Sequence, residues 1–266
     1  MKISVENSFI TDDSNECEKG SFFVQTAANA KFAEAAVKNG AKIISLEECK
    51  KLLKIDENLK IVGITGTNGK TTTAAAIYET LRNLGKKCGL SGTRGAFVEG
   101  KQIDDKALTT SAILRTLSYL KAASEQGCEY FVMEVSSHAI AQKRIESLKF
   151  ALKIFTNLTQ DHLDYHKSME EYARVKSSFF DDDCMKLINA DDNGIKFNPK
   201  KAYTYSLKKP ASFAPVVYGL KDGIDAVIKT PNGDVEIDSS LQGVLGTPSS
   251  SSFLRSEGVR LPAFPL

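Results

Sequence analysis

The chain has 266 residues, 42% of them hydrophobic, and a formal net charge of +2 at pH 7. This length predicts one large or two ordinary domains, and the near-neutral charge argues against nucleic acid or a membrane as partner. The five cysteines form no CxxC pair, so neither a disulfide framework nor a zinc site is indicated. The first residues lack the apolar core of a signal peptide, and no apolar stretch is long enough to span a bilayer. The expected location is therefore cytoplasmic.

The first 58 residues predict a small α/β unit, because strand and helix patterns alternate along them. Ser14 and the two aspartates before it precede the first strong strand, where either a polar surface turn or a ligand loop would lie. The polar residues 56–58 are the expected linker to the next unit. The predicted elements are strand 21–25, helix 31–39, strand 41–45 and helix 46–53.

A strand, a glycine-rich turn and a helix follow one another from Lys60, in the sequence KIVGITGTNGKTTT. Glycine in such a turn lets phosphate approach backbone N–H groups closely. Lys70 would reach the outer phosphates of a nucleotide, and the Thr71 hydroxyl would hold Mg²⁺. The general phosphate-loop pattern has glycine where this chain has Ile64, and the alternative is a glycine turn before an ordinary helix. The agreement of strand, GK[ST] and helix favours nucleotide binding.

Two further strands are predicted at 129–135 and 151–156, and polar residues follow each of them. Ligands of an open parallel sheet bind outside the carboxyl ends of its strands, so Glu134 is placed to reach Mg²⁺ directly or through water. All the histidines of the chain follow these two strands. A lone histidine is usually structural, but this grouping favours a function for at least one. The three are His138, His162 and His166.

Other polar residues leave their role open when only the residues are considered. Thr109 and Thr110 lie just before an amphipathic helix, where they would either meet an anion or merely cap the helix, and Ser111 is the predicted N-cap. Lys176 lies beside the apolar stripe of the predicted helix 168–180 and would ordinarily be solvated.

The remaining sequence predicts mainly strands, with a hairpin turn at 230–234. Residues 242–266 differ in character, with a serine run, three prolines and no periodicity. We expect this tail to be disordered or loosely packed, like an artificial or out-of-frame end. The predicted strands are 185–189, 202–206, 216–220, 224–229 and 235–238.

The chain resembles the Mur ligase family, and within it the MurE type, in three stretches: TGTNGKTT at 65–72, MEVSSHAIAQKR at 133–144 and FTNLTQDHLDYH at 155–166. The family shares the departure from glycine at position 64. The resemblance implies an α/β fold with a small N-terminal UDP-sugar-binding domain at 1–58. It also implies a central ATP-binding domain at 59–241, with a mainly parallel sheet flanked by helices. Family members continue with a C-terminal domain, which this chain is expected to lack.

The resemblance also implies a reaction. ATP phosphorylates the carboxylate of UDP-N-acetylmuramoyl-L-alanyl-D-glutamate to an acyl phosphate, and the amino group of a diamino acid attacks it to form a peptide bond in peptidoglycan synthesis. The added amino acid is meso-diaminopimelate or lysine, and the sequence leaves this choice open. The protein is expected to act as a monomer.

Site residues follow from the same resemblance. Mg²⁺ is expected to be bound by Thr71, Glu134, His162 and a carbamylated Lys176. The catalytic residues are expected to be Lys70, Glu134, His162 and Lys176. A carbamate is an anionic oxygen ligand, whereas an ammonium would repel the metal. The family often has arginine where this chain has Asn15, so the contact at Ser14 is less secure. ATP would be bound by Gly66, Thr67, Asn68, Gly69, Lys70, Thr71 and Thr72, and the UDP-sugar substrate by Ser14, Thr109, Thr110, Ser136, Gln142 and Arg144.

Three alternatives to this enzyme remain. The chain could be a fragment that binds nucleotide or UDP-sugar without turnover, and on that basis we expect weak UDP-muramyl dipeptide binding and no tripeptide product. A folylpolyglutamate synthase has a similar phosphate loop, but the unit before Lys60 and the stretch 134–144 argue against it. An unrelated phosphate-loop kinase would leave the stretch 161–166 unexplained.

Overall fold

A computed structural model describes residues 1–105, 108–219 and 223–239 of the chain. The strands form three sheets, and helices pack against the largest of them. The predicted α/β class with a mainly parallel central sheet is therefore confirmed. Within the described ranges, no helix combines the length and apolar character needed to cross a membrane. The predicted tail at 242–266 lies outside the described residues.

The first sheet has four strands in the order β1-β2-β3-β4, of which β1 and β2 pair antiparallel and the others parallel. Helix α2 begins with a complete capping box, in which the Ser45 hydroxyl accepts from the Glu48 N–H and the Glu48 carboxylate accepts from the Ser45 N–H. The predicted strands and helices are present, whereas the β1–β2 hairpin was not predicted. The elements are β1 Lys2–Val5, β2 Ser8–Thr11, β3 Phe22–Val24, α1 Ala33–Lys38, β4 Lys42–Ile44 and α2 Leu46–Leu52.

The central sheet has eight strands in the order β12-β11-β10-β5-β9-β6-β7-β8. The six from β12 to β6 are parallel, and β7 and β8 add an antiparallel hairpin at one edge. Strand β5 comes before the other strands of this sheet in the sequence, yet it lies between β9 and β10. The carboxyl ends of these three strands are therefore adjacent. The strands are β5 Lys60–Thr65, β6 Cys88–Gly92, β7 Gly95–Val98, β8 Lys101–Asp104, β9 Tyr130–Glu134, β10 Phe150–Phe155, β11 Met185–Asn189 and β12 Ala202–Tyr205.

The helices that follow these strands start near the carboxyl edge of the sheet. One sequence prediction at a helix start was wrong, because Ser111 is not the N-cap of α4. The backbone at Ala112 is still extended, with ψ of 151°, so the helix begins one residue later and no side chain caps it. The helices are α3 Lys70–Asn83, α4 Ile113–Glu125, α5 Ser137–Ala141, α6 Leu163–His166 and α7 Met169–Ser178.

The third sheet is a separate antiparallel meander in the order β13-β14-β15. A two-residue turn at 231–232 joins β14 to β15, which confirms the predicted hairpin. The strands are β13 Ala214–Gly219, β14 Ile224–Thr230 and β15 Gly233–Ser239.

One continuous apolar core connects the first sheet to the central sheet. Ile10 and Leu53 from the first unit belong to the same buried cluster as Leu59, Leu120 and Phe155. Strand β5 passes through the middle of the sheet, and every residue from 61 to 67 is buried. The core therefore fixes the end of β5, from which the glycine-rich turn starts.

Candidate functional site

The turn between β5 and α3 depends on glycine for two different physical reasons. A Cβ at Gly66 would lie 1.9 Å from the Thr156 Oγ1, so the neighbouring chain leaves no room for a side chain. Gly69 is the N-cap of α3 with φ of +82°, and a Cβ there would meet nothing within 4 Å. Gly69 is therefore required by backbone conformation rather than by space.

The residues that follow β10 hold this turn in place. The Thr67 N–H donates to the Asn157 carbonyl at 2.8 Å, and the Asn68 N–H donates to the Asn157 Oδ1 at 2.9 Å. The Asn157 side-chain amide donates back to the Asn68 carbonyl at 3.1 Å, and the Thr156 hydroxyl donates to the same oxygen at 2.7 Å. The Thr159 N–H donates to the Thr67 Oγ1 at 3.0 Å. The turn is thus fastened by side chains and by backbone.

Two lysine ammonium groups meet at one backbone oxygen of the turn. The Lys70 Nζ donates to the carbonyls of Gly66 and Thr67, both at 2.8 Å. The Lys176 Nζ donates to the same Gly66 carbonyl at 3.0 Å and lies 3.4 Å from the Thr65 Oγ1. Burial lowers the pKa of Lys70, against the opposing charges of Glu134 and Asp161. The Lys70 ammonium and the N–H groups of the turn together create a positive site suited to a polyanion.

Lys176 is buried almost completely, with 1% of its surface exposed. Burial, together with the nearby charge of Lys70, lowers the pKa of Lys176 from 10.5 to about 7. The ammonium lies 4.8 Å from the centre of the Tyr172 ring, and the Tyr172 hydroxyl is 3.2 Å from the Thr67 Oγ1. The prediction from the residues alone that Lys176 is solvated is therefore wrong. Near neutral pH a substantial fraction of this amine is uncharged and nucleophilic.

Glu134 ends β9 beside the turn, and it is 2% exposed. Its Oε2 accepts from the Thr71 hydroxyl at 2.9 Å, and its Oε1 accepts from the Thr93 N–H at 2.9 Å. A Cβ at Gly92 would lie 2.0 Å from the Oε1, so that glycine makes room for the carboxylate. Glu134 is therefore held by the first turn of α3 on one side and by the end of β6 on the other.

The pair of Thr71 and Glu134 suits a hard cation such as Mg²⁺. Both provide oxygen ligands, and among the described residues the hydrogen-bond donors to the Glu134 carboxylate are neutral. His162 is exposed, and its Nε2 lies 3.4 Å from the Asp161 Oδ2. The described ranges contain no group of three or more His, Cys, Asp or Glu side chains that could hold a metal. Of the four predicted metal ligands, Thr71 and Glu134 are in direct contact.

The three histidines come together, as their positions in the sequence suggest. The ring of His138 lies 4.9 Å from that of His162 and 5.6 Å from that of His166, measured between centres. Buried His166 has its Nε2 2.8 Å from the Ser137 Oγ. Burial lowers the pKa of both His138 and His166, so these two rings favour the neutral form at pH 7.

Most of the predicted substrate residues form one hydrogen-bonded network around Thr110. The Thr110 hydroxyl donates to the Glu134 carbonyl at 2.9 Å and accepts from the Ser136 N–H at 2.9 Å. The Arg144 guanidinium donates to the Thr110 carbonyl at 3.1 Å and to the Gln142 Oε1 at 2.5 Å. This network joins the backbone of Glu134, whose side chain contacts Thr71. The substrate residues and the residues after the glycine-rich turn are therefore connected through Glu134.

A groove of about 520 Å³ runs between the first sheet and the central sheet. Gln142 and Arg144 line one wall, and Asp12 with residues 26–29 lines the other. Ser14, buried at 6% exposure, is two residues from Asp12, and its carbonyl accepts from the Asn39 side chain at 2.9 Å. The arginine on one wall of this groove can pair with a ligand that carries a phosphate or carboxylate.

Thr93 and Asn157 were not predicted from the sequence. Thr93 holds Glu134 and has its Oγ1 3.1 Å from the Thr109 Oγ1, whereas Asn157 holds the turn. Both follow the carboxyl end of a parallel strand, so the rule that selected Glu134 could have found them.

Comparisons with known proteins identify the family of this chain. The family model of the Mur ligase middle domain matches residues 64–245. A UDP-N-acetylmuramoyl-L-alanyl-D-glutamate–2,6-diaminopimelate ligase of Wolinella succinogenes is 47% identical over 239 residues, which cover 90% of this chain and 55% of that protein. The ligase of the same name from Helicobacter pylori is 47% identical over 222 residues, covering 82% and 49%.

A solved structure of a ligase with that name superposes with a TM-score of 0.72 at 27% identity, covering 87% of this chain and 55% of that one. The chain spans about half the length of these curated relatives. The family match extends over the glycine-rich turn, Glu134 and Lys176 together, and by that match the chain belongs to the Mur ligases.

Proposed function

We propose that the protein is an ATP-dependent ligase that joins 2,6-diaminopimelate to UDP-N-acetylmuramoyl-L-alanyl-D-glutamate in peptidoglycan synthesis. The observation that carries this proposal is the 47% identity over 239 residues with a ligase of that name. The same relatives favour diaminopimelate over lysine and favour this reaction over that of a folylpolyglutamate synthase. We also propose that residues 1–58 bind the UDP-sugar and that residues 59–241 bind ATP.

On the nucleotide side, the proposal assigns the triphosphate to residues 66–72. The first-turn N–H groups of α3 lack carbonyl partners within the helix, and they lie beside the two lysines. Lys70 now donates to two carbonyls of its own turn, and it would transfer these donors to phosphate oxygens. Thr71 and Glu134 would hold Mg²⁺, which supplies charge stabilisation to phosphoryl transfer when bound.

On the substrate side, Arg144 and Gln142 would bind the acidic part of the UDP-sugar in the groove. Thr109, Thr110 and Ser136 would bind it at the inner end, next to Glu134. This arrangement would orient the glutamate carboxylate of the substrate toward the terminal phosphate, and such orientation supplies much of a ligation rate. Ser14 belongs to the same proposal through its position beside Asp12.

We propose that Lys176 reacts with CO₂ to form a carbamate. The support is its burial and its pKa of about 7, because the neutral amine is the form that attacks CO₂. The attack forms a bond between the amine nitrogen and the carbon of CO₂ and releases one amine proton, so the product is an anionic oxygen donor near Lys70. His162, at the start of α6, would be the remaining metal ligand.

The test separates the two ligand sites by calorimetry on the 266-residue chain. The unaltered chain is expected to bind MgATP and UDP-N-acetylmuramoyl-L-alanyl-D-glutamate. Lys70→Ala should weaken MgATP about tenfold or more through loss of a charge-assisted contact and leave the UDP ligand unaffected. Arg144→Ala should weaken binding of the UDP ligand and leave MgATP binding unaffected. Binding of neither ligand by the unaltered chain would contradict the proposal.

A turnover measurement separates a ligase from a binding module. ADP release is followed with the UDP-dipeptide, MgATP and either diaminopimelate or lysine. Release that depends on diaminopimelate supports the ligase, and release that depends on lysine would correct the specificity. Binding of both ligands without release would favour the binding module for this chain.

A further inference from the structure

Three of the hydrogen bonds that attach the glycine-rich turn to the rest of the protein come from one residue, Asn157. The Asn157 side chain accepts from the Asn68 N–H at 2.9 Å and donates to the Asn68 carbonyl at 3.1 Å. One amide group thus satisfies both polar backbone groups of a single residue, as paired strands do in a sheet. The Asn157 carbonyl adds a third bond by accepting from the Thr67 N–H.

These bonds determine which N–H groups of the turn remain available to an anion. The N–H groups of Thr67 and Asn68 point to Asn157, so in this conformation they are used within the protein. The N–H groups at the first turn of α3, residues 69–72, have no carbonyl partner within the helix. A phosphate would therefore meet the helix N-terminus. Its orientation would be set by the two bonds between the Asn157 side chain and the Asn68 backbone, which we call the Asn157 clamp.

We propose that Asn157 is a positioning residue for the nucleotide, acting through the turn rather than by touching the phosphates. The inference rests on the proposed nucleotide-dependent function. The role requires a donor and an acceptor at the end of a short side chain, which asparagine carries. Aspartate keeps the acceptor but directs a charged oxygen at the Asn68 carbonyl, and leucine has a similar shape without either group.

The turn has other attachments that keep it folded when the clamp is lost. The Thr156 hydroxyl also donates to the Asn68 carbonyl, at 2.7 Å, and Thr67 and Thr159 exchange two further bonds. Replacing Asn157 should therefore loosen the turn without unfolding the sheet. Nucleotide affinity should fall while the groove that contains Arg144 keeps its ligand.

The experiment compares Asn157→Leu with Asn198→Leu as a matched control. The Asn198 amide also makes side-chain hydrogen bonds, to Asp181 and Asp183, but it lies at the amino edge of the sheet. Calorimetry uses the magnesium complex of β,γ-imido ATP and, separately, UDP-N-acetylmuramoyl-L-alanyl-D-glutamate. Asn157→Leu should weaken the nucleotide about tenfold or more and leave the UDP ligand unchanged. Asn198→Leu should change neither affinity.

A second readout does not depend on ligands. Hydrogen exchange of the peptide that contains Thr67 and Asn68 should become faster in Asn157→Leu, while thermal unfolding changes no more than in the control. If Asn157→Leu does not fold, the isosteric Asn157→Asp carries the same test. It should likewise weaken the nucleotide alone.

Three outcomes would overturn the inference. Unchanged nucleotide affinity in a folded Asn157 variant would remove the positioning role while leaving the proposed function intact. Equal weakening of both ligands would identify Asn157 as a general structural residue. An unaltered chain that binds no nucleotide would overturn the proposed function and this inference together.

Discussion

Replacing Lys176 by methionine tests whether a buried lysine destabilises the fold at neutral pH. The side chain is 1% exposed, and burial lowers its pKa from 10.5 to about 7. Between these two values the unfolded chain binds more protons than the folded chain, so stability rises with pH across this window. The free-energy cost of burying the charged lysine is present in full below about pH 7 and absent above about pH 10.5.

The magnitude follows from the two pKa values. One unit is worth about 1.36 kcal/mol, so the penalty at pH 7 is about 4 kcal/mol, and about 2 kcal/mol of it is lost between pH 7 and pH 9. Methionine is similar in length and uncharged, and the Gly66 carbonyl keeps its bond from Lys70. We expect Lys176→Met to be more stable than the unaltered chain at pH 7 and to lose about 2 kcal/mol of this advantage by pH 9.

The assay is urea unfolding at pH 7 and pH 9 in buffer free of bicarbonate, which prevents carbamate formation. Arg174→Met is the matched control, because it makes the same replacement of a cationic side chain at an exposed position of the same helix. Its effect on the free energy of unfolding should be small and the same at both pH values. If the difference between Lys176→Met and the unaltered chain is also the same at both pH values, the reasoning about burial is wrong.

Two further predictions concern the turn and its carboxylate. Gly66→Ala should lower the free energy of unfolding by about 1–3 kcal/mol through the clash with Thr156 and weaken nucleotide binding. Gly69→Ala, which strains only a positive φ, should cost less, about 1–2 kcal/mol; equal costs in urea unfolding would contradict the distinction. Glu134→Gln keeps the shape and removes the charge, so calorimetry should find that nucleotide affinity depends less on Mg²⁺. An unchanged Mg²⁺ dependence would exclude Glu134 as a metal ligand.

The sequence predicted the middle strands of the central sheet well because β5, β9 and β10 are mostly buried and rich in β-branched or aromatic residues. Strand β5, the turn and α3 were found from local pattern alone, since all three lie within a single stretch. The β1–β2 hairpin was missed because its strands are four residues each and partly exposed, with little alternation to detect. The predicted N-cap of α4, Ser111, was one residue too early. No sequence signal shows that the backbone at Ala112 is still extended.

The site was predictable where a residue follows a strand and unpredictable where contact depends on distant parts of the chain. Lys176 lies on a helix whose spacing suggests an exposed lysine, yet its ammonium meets Gly66, 110 residues away. The bond between Asn68 and Asn157 spans 89 residues. Periodicity reports which face of an element is apolar, but it does not report which backbone groups of another element that face will meet.

The continuous core between the first sheet and the central sheet has a consequence for ligand binding. The groove that holds Arg144 has one wall on each unit, and Leu53, Leu59 and Leu120 pack together between them. Two walls joined by a common core cannot separate without exposing apolar surface, which costs about 25 cal/mol for each Å². The groove is therefore preorganised, so a ligand that enters it spends little of its interaction free energy on ordering the protein.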